Sequence, residues 1–209
     1  MTDKIGILGA GGQADEVTSF LRDTEIAFYA ISEAYVDTSN EKQIDIAKPN
    51  EEQKLTPVIV AIGAPEVRRS MAAQWSGAAF TSVQSDASYI DKTAVIDAGC
   101  IIAPGAIITT NVHIGAHSIV NVGATISHDS KIGDFVTIGP GAHLGGHVVL
   151  GDGVFVGIGA SISNDIKIAK GSVIGAGAVV IKDVLVENSV VVGIPAKVIK
   201  QNEGWLREI

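Results

Sequence analysis

The sequence holds a single cysteine, Cys100, so an internal disulfide is excluded and a reducing compartment suits the chain. Aromatic residues are scarce, at 5%, and charged residues make up only 18% of the 209. A core built on large rings is therefore not expected. Abundant Val, Ile and Ala, with 24 glycines, indicate thin, regular β-structure instead. Positive charge is in deficit: 15 Lys and Arg stand against 23 Asp and Glu, a net charge of −8. That argues against a broad basic surface and against nucleic acid as a partner. It leaves room for a phosphorylated small ligand, which backbone N–H groups and one or two lysines can hold. No apolar run approaches membrane-spanning length, and the opening MTDKIGILGAGG does not read as a secretory signal. The expectation is a soluble cytoplasmic protein without membrane insertion.

What the chain does contain falls into two regions. Residues 1–84 read as a small α/β unit. KIGILG (4–9) and PVIVAIG (57–63) are short apolar runs ending at glycine, each followed by a helical pattern, over 11–23 and 64–75. Pro65 suits the first turn of the second helix. Residues 38–54 are polar and read as a loop or excursion. From residue 85 the period changes to six. Ile90, Ile96, Ile102, Ile108, Ile114, Val120, Ile126, Ile132, Ile138, Leu144, Leu150, Val156, Ile162, Ile168, Ile174 and Val180 follow without an insertion. A small or β-branched residue lies two positions before each, and Cys100 fills one such slot, which marks it as structural. A strict period of six fits a parallel β-helix with three flat faces and eighteen residues per coil. Sixteen hexapeptides make about 5.3 coils, a prism about 25 Å tall at roughly 4.8 Å per coil. The predicted domains are 1–84 and 85–209.

Residues eighteen apart then stack. Gly146 lies one coil beyond His128, leaving space where a side chain would stand. Asn121, Gly139, Gly157 and Gly175 form a column that either offers a smooth track to a long thin ligand or serves tight packing. Gly115, Gly133 and Gly151 stack in the same way on another face. His128 is followed by Asp129, an arrangement that suits a general base tuned by a carboxylate. No two histidines lie eighteen or thirty-six residues apart, so no metal site is expected.

The hexapeptide ladder, the closing VVGIPAKVIK (191–200), the front GILGAGGQADEV (6–17) and the central ISHDSKIGD together resemble the bacterial nucleotide-sugar and sialic-acid acetyltransferases of the left-handed β-helix superfamily. The resemblance implies a Rossmann-like N-terminal unit, a left-handed coil, a homotrimer, and acetyl transfer from acetyl-CoA to a sugar, with no metal. It implies that His128 and Asp129 are the catalytic pair. It places coenzyme A on Thr137, Gly146, Ile158 and Ala176, beside the track of Gly157 and Gly175. It assigns the glycine-rich turn Gly11, Gly12 and Gln13 to the sugar nucleotide, with Asp37, Gly63 and Asn121. Two residues depart from the family pattern: Thr137 and Gln13 stand where relatives carry histidine. Glutamine can orient an acceptor but cannot take its proton, which favours an amino group as acceptor. A sugar hydroxyl is the alternative substrate, and a non-catalytic solenoid the alternative of another class.

Overall fold

A computed structural model describes residues 3–77 and 79–203. The N-terminal unit is a four-stranded parallel sheet of β1 (Asp3–Leu8), β2 (Thr24–Ile31), β3 (Gln43–Asp45) and β4 (Val58–Val60), in the order β3-β2-β1-β4. Helices α1 (Gly12–Phe20), α2 (Glu51–Leu55) and α3 (Pro65–Gln74) connect it. Two strands and one helix exceed the sequence reading. In β2 the alternation is visible in retrospect, since Ile26, Phe28 and Ala30 are buried while Glu25, Ala27 and Tyr29 are less so. The segment read as a loop carries β3 and α2. The latter starts from a capping box in which Asn50 and Gln53 bond reciprocally.

The hexapeptide region is a left-handed parallel β-helix. Each of the sixteen aliphatic positions closes a two-residue strand, from Tyr89–Ile90 to Val179–Val180. Strands pair in parallel at a spacing of eighteen, as in Ile119 with Thr137 and Thr125 with His143. The first face begins with Val83–Gln84, which pairs with Ile101–Ile102, and runs to Val173–Ile174. The second carries Tyr89–Ile90 to Val179–Val180, and the third Val95–Ile96 to Lys167–Ile168. Inside, the aliphatic rows and the apolar small residues make one continuous hydrophobic core. Cys100 belongs to it: burial pushes its thiol up to about 12, and Sγ donates to the Gly115 carbonyl at 3.2 Å. The top is closed by Ser189–Gly193, which pairs with Val173–Ile174 and folds back on Ala196–Gln201.

The N-terminal unit sits on the first face. Ile101 and Ile119, outward on that face, are buried against Ile5, Ile7, Ala14, Val17, Ile26 and Ile59. Arg68 rivets the joint. Its guanidinium is fully buried and donates to the carbonyls of Ile62, Gly63, His117, Phe135 and Val136 and to Thr137 Oγ1, at 2.6 to 3.1 Å. Burial lowers it to about 9, so it stays charged at neutral pH. Around it His117 stacks flat on Phe135 at 4.8 Å and meets the edge of Phe80 at 4.5 Å. His117 lies at an outward position of the coil, yet it is a buried wedge, because the docked unit covers its corner.

Replacing Arg68 with Met keeps much of the volume and removes every donor. Each buried carbonyl left without a donor costs about 1–3 kcal/mol. Arg68→Met is expected to lower the melting temperature by more than about 6 °C, since 1 kcal/mol shifts a chain of this size by about 2–4 °C. A calorimetric midpoint within 2 °C of the parent, on the order of the scatter between preparations, would refute the rivet.

Candidate active site

Two features lie apart on the chain, one in the N-terminal unit and one on the prism. The first is a cavity of about 520 Å³ in the N-terminal unit. It is lined by Gly9–Gln13 after β1, Ala61–Gly63 after β4, and Ile31, Ser32, Tyr35, Gln43, Val67 and Met71. In a β3-β2-β1-β4 sheet the strand order reverses between β1 and β4, and ligands bind outside the carboxyl ends at such a switch point. No side chain caps the N-terminus of α1, so its first amides face the cavity's glycine turn. Gly11, Gly12, Gln13 and Gly63 come together here as the sequence suggested. Asp37 stands outside the lining. Its carboxylate accepts from Ser39 N and Oγ at 2.9 and 2.6 Å, which holds it below the usual carboxylate range. Its backbone N–H donates to Gln43 Oε1 at 2.8 Å, and Gln43 and Tyr35 are the residues that reach the cavity. Sequence reading missed both, since neither lies in a recognisable motif.

The second feature is the corner between the second and third faces. His128 Nδ1 lies 2.8 Å from Asp129 Oδ2. A carboxylate only accepts, so Nδ1 carries the proton and Nε2 is left with its lone pair free. Asn111, one coil before Asp129, donates Nδ2–H to Oδ1 at 3.1 Å. These two hydrogen bonds, His128 first, hold the Asp129 carboxyl below its ordinary range. Beneath them Ser130 ties adjacent coils, donating to the Gly145 carbonyl at 3.2 Å and accepting from Val148 N at 3.1 Å. The ring of His128 rests over Gly146: a Cβ there would lie 2.6 Å from Cε1 and 2.7 Å from Nε2. The glycine gap read from the sequence is the seat of the imidazole. His147, nineteen residues on, places Nε2 4.0 Å from Asp129 Oδ2 and sets its ring edge-on to that of His128, centroids 5.1 Å apart. His147 stands eighteen residues from Asp129 and so directly over it, whereas its contact with His128, at nineteen, is a diagonal one that a search for histidines at eighteen does not find.

Other expectations need correction. Thr137 was expected at coenzyme A, but it is buried on the first face. Its hydroxyl donates to the Gly63 carbonyl at 2.8 Å and accepts from Arg68. The column of Gly139, Gly157 and Gly175 is not an open track. A Cβ on Gly139 would meet Val156 O at 2.7 Å, and one on Gly157 would meet Ala176 N at 2.6 Å. Gly115 and Gly133 meet the next coil in the same way, so close stacking of coils demands these glycines. What the corner exposes is the adjacent residue, with Ile158 63% exposed and Ala176 one coil above it. Asn121 is buried at the same corner, its Oδ1 accepting from Val122 N at 2.8 Å. A single chain does not bring it to His128, which stands one face away.

Residues 147–182 match the family model "Bacterial transferase hexapeptide (six repeats)". Among curated protein sequences no significant match exists. Solved structures are similar over nearly the whole chain. A perosamine N-acetyltransferase from Caulobacter crescentus, a histidine-to-asparagine variant in complex with CoA and GDP-perosamine, is 26% identical with a TM-score of 0.85, covering 95% of this chain and 97% of that one. The acetyltransferase domain of PglB from Neisseria gonorrhoeae, in complex with acetyl coenzyme A, is 25% identical with a TM-score of 0.80, covering 95% and 100%. WeeI from Acinetobacter baumannii is 27% identical with a TM-score of 0.79, covering 94% and 100%.

His128→Ala is expected to cut kcat by about 10²–10⁴ with an unchanged melting curve, since the ring is more than half exposed. Gly146→Ala fills the seat of the ring. A catalytic group displaced by about 1 Å loses on the order of 10² in rate, so this variant is expected to fall in the same range. Stopped thiol release with a folded far-UV spectrum checks both. Parent-like kcat in either variant would remove His128 from the mechanism. In fold, and in the solved structures it matches at 25–27% identity, the chain is similar to hexapeptide-repeat, left-handed β-helix acetyltransferases.

Proposed function

We propose that this protein transfers the acetyl group of acetyl-CoA to the amino group of a nucleotide-linked sugar, with His128 as general base. The observation that carries the reading is the oriented imidazole, with Nδ1–H on Asp129 and Nε2 free above Gly146. The relatives in complex with CoA and GDP-perosamine, and with acetyl coenzyme A, support the donor and the class of acceptor. The glycine turn and the amides of α1 hold the phosphates, and the cavity takes the nucleoside. Nε2 of His128 accepts the proton of the acceptor amine as nitrogen bonds to the acetyl carbonyl carbon. The tetrahedral intermediate then collapses, the C–S bond breaks, and the thiolate of coenzyme A takes the proton back from His128. Asp129 holds the tautomer and stabilises the imidazolium between those two transfers.

The cavity borders the first face, where Gly63 bonds Thr137, whereas His128 sits at the corner opposite that face. A cavity and a base so far apart on one chain meet when a neighbouring copy supplies one of them. We take the working unit to be a homotrimer with sites between subunits, in the cytoplasm where acetyl-CoA is available. A monomer by light scattering at assay concentration contradicts this.

The acceptor follows from Gln13, which lines the cavity beside Gly63. An amide can position the acceptor but adds no second base, and one histidine suffices for an amine, which is the stronger nucleophile when neutral. Matched amino and hydroxyl sugar nucleotides, assayed at equal concentration, are expected to differ in favour of the amine. Gln13→Ala is expected to raise the KM for the sugar nucleotide more than it lowers kcat. Higher kcat/KM for hydroxyl acceptors overturns the choice and makes the protein an O-acetyltransferase.

A further inference from the structure

The corner of His128 contains one group that acetyl transfer does not use. Asp129 Oδ2 is approached by two imidazoles, His128 Nδ1 at 2.8 Å and His147 Nε2 at 4.0 Å. One ligand atom from each of the three residues lies within 4.8 Å of the other two. His147 is exposed and occupies a backbone position with φ of +58°, where this coil more often places glycine. A residue other than glycine is uncommon there, though histidine, like the Asn111, Asp129 and Asp165 of the same corner, is among those that adopt it most readily; the exposed ring of His147 adds little packing. Its backbone is nonetheless fixed, because its N–H donates to the His128 carbonyl at 2.9 Å, and Asp129 N is fixed in turn on the Thr110 carbonyl at 3.0 Å.

We propose that His128, Asp129 and His147 form an inhibitory binding site for zinc or a similar divalent transition metal. Two imidazoles and one carboxylate are a common zinc donor set, leaving the fourth position to water. In a tetrahedral site with bonds of about 2.0–2.1 Å the ligand atoms lie about 3.4 Å apart. The 4.0 Å gap between His147 Nε2 and Asp129 Oδ2 closes by a small turn of an exposed ring.

Occupancy of this site and acetyl transfer exclude one another. A metal bonded to Nδ1 takes the place of the proton that His128 donates to Asp129. The neutral imidazole then carries its proton on Nε2, the atom that must accept one from the sugar amine. No electron moves and no proton is released; the tautomer alone reverses. The metal is thus an inhibitor and not a participant in the reaction, which needs none. The inhibitory half rests on His128 being the base; the binding half rests on the geometry alone.

The test has two independent arms. In the first, ZnCl₂ is titrated calorimetrically into chelator-treated protein in a non-coordinating buffer. One zinc per chain is expected. His147→Asn, a residue that tolerates positive φ, is expected to weaken binding by more than about tenfold, the least that loss of a metal contact costs. His143→Asn, on the flat second face, is expected to bind as the parent does. In the second arm, zinc is expected to inhibit acetyl transfer by the parent and EDTA to restore it. The His147→Asn protein is expected to turn over at parent rate in EDTA and to resist zinc. Absence of stoichiometric binding, or equal affinity in parent and His147→Asn, overturns the site. Equal inhibition of both proteins by zinc overturns its inhibitory role. Failure of the metal-free parent to acetylate any amino sugar nucleotide counts against the proposed function instead, and leaves the calorimetry to decide the site.

Discussion

Everything in this molecule hangs on the parallel pairing of each residue with the one eighteen places away. The strands are two residues long, far too short to persist alone. They are held because each carbonyl and amide is taken up by the coil above or below, as Ile101 N is by the Ser118 carbonyl and Ile119 N by that of Val136. A fixed register of eighteen forces the chain to turn every sixth residue. From Gly99 to Gly177 every sixth residue has φ between +56° and +77°. Glycine suits that region, and where the chain uses something else the departure is informative. The corner between the first and second faces turns on glycine throughout, at 105, 123, 141, 159 and 177. The corner under the N-terminal unit turns on His117 and Phe135, the stacked rings of the joint. The corner between the second and third faces turns on Asn111, Asp129, His147 and Asp165, a column of polar groups. The three corners differ in their work, and the turn residue alone distinguishes them.

Much of this was legible beforehand because a period of six leaves few alternatives. The aliphatic positions, the small slots and the seat at Gly146 follow from stacking at eighteen, and the pairing of His128 with Asp129 from their adjacency in the chain. The limits of the sequence reading have equally physical causes. Stacking at eighteen sets His147 over Asp129, but it addresses only residues directly above one another, so the diagonal contact of His147 with His128 lies outside it. The glycine column at 139, 157 and 175 has one sequence signature for two causes, an open track and a close coil contact, and only the direction of the missing Cβ separates them. Arg68 carried a signal that went unread: it shares the buried stripe of α3 with Pro65 and Met71, three residues away on either side. A cation on such a stripe requires acceptors, and those acceptors are carbonyls distributed over two domains.

That distribution explains how a small α/β unit can serve chemistry on a separate prism. Arg68 bonds the carbonyls of Ile62 and Gly63, which end β4 at the cavity, and the carbonyls of Phe135 and Val136 on the coil. Thr137 adds a second tie to Gly63. The cavity floor and the first face therefore move as one piece. A ligand held at the switch point of the sheet is referred to the coil's frame, and so to every corner of it. A flexible linker would leave the acceptor's position undetermined, and positional error of about 1 Å already costs on the order of 10² in rate.

The geometry that suits His128 to the proposed role of base also suits it to the proposed role of ligand. An imidazole becomes a useful base when a carboxylate fixes its proton on one nitrogen and exposes the other. The same carboxylate, beside a second imidazole, makes the donor set proposed here for zinc or a similar divalent transition metal. Asp129 cannot serve both at once through Oδ2. Asn111 on Oδ1 tilts the balance toward catalysis, because it satisfies the other oxygen and anchors the carboxylate in the orientation that faces His128 Nδ1. His147 draws on the opposite side of the same oxygen, from a turn position that the coil more often fills with glycine. In both proposals the state of the corner turns on two neighbours of Asp129, Asn111 on the coil before it and His147 on the coil after it.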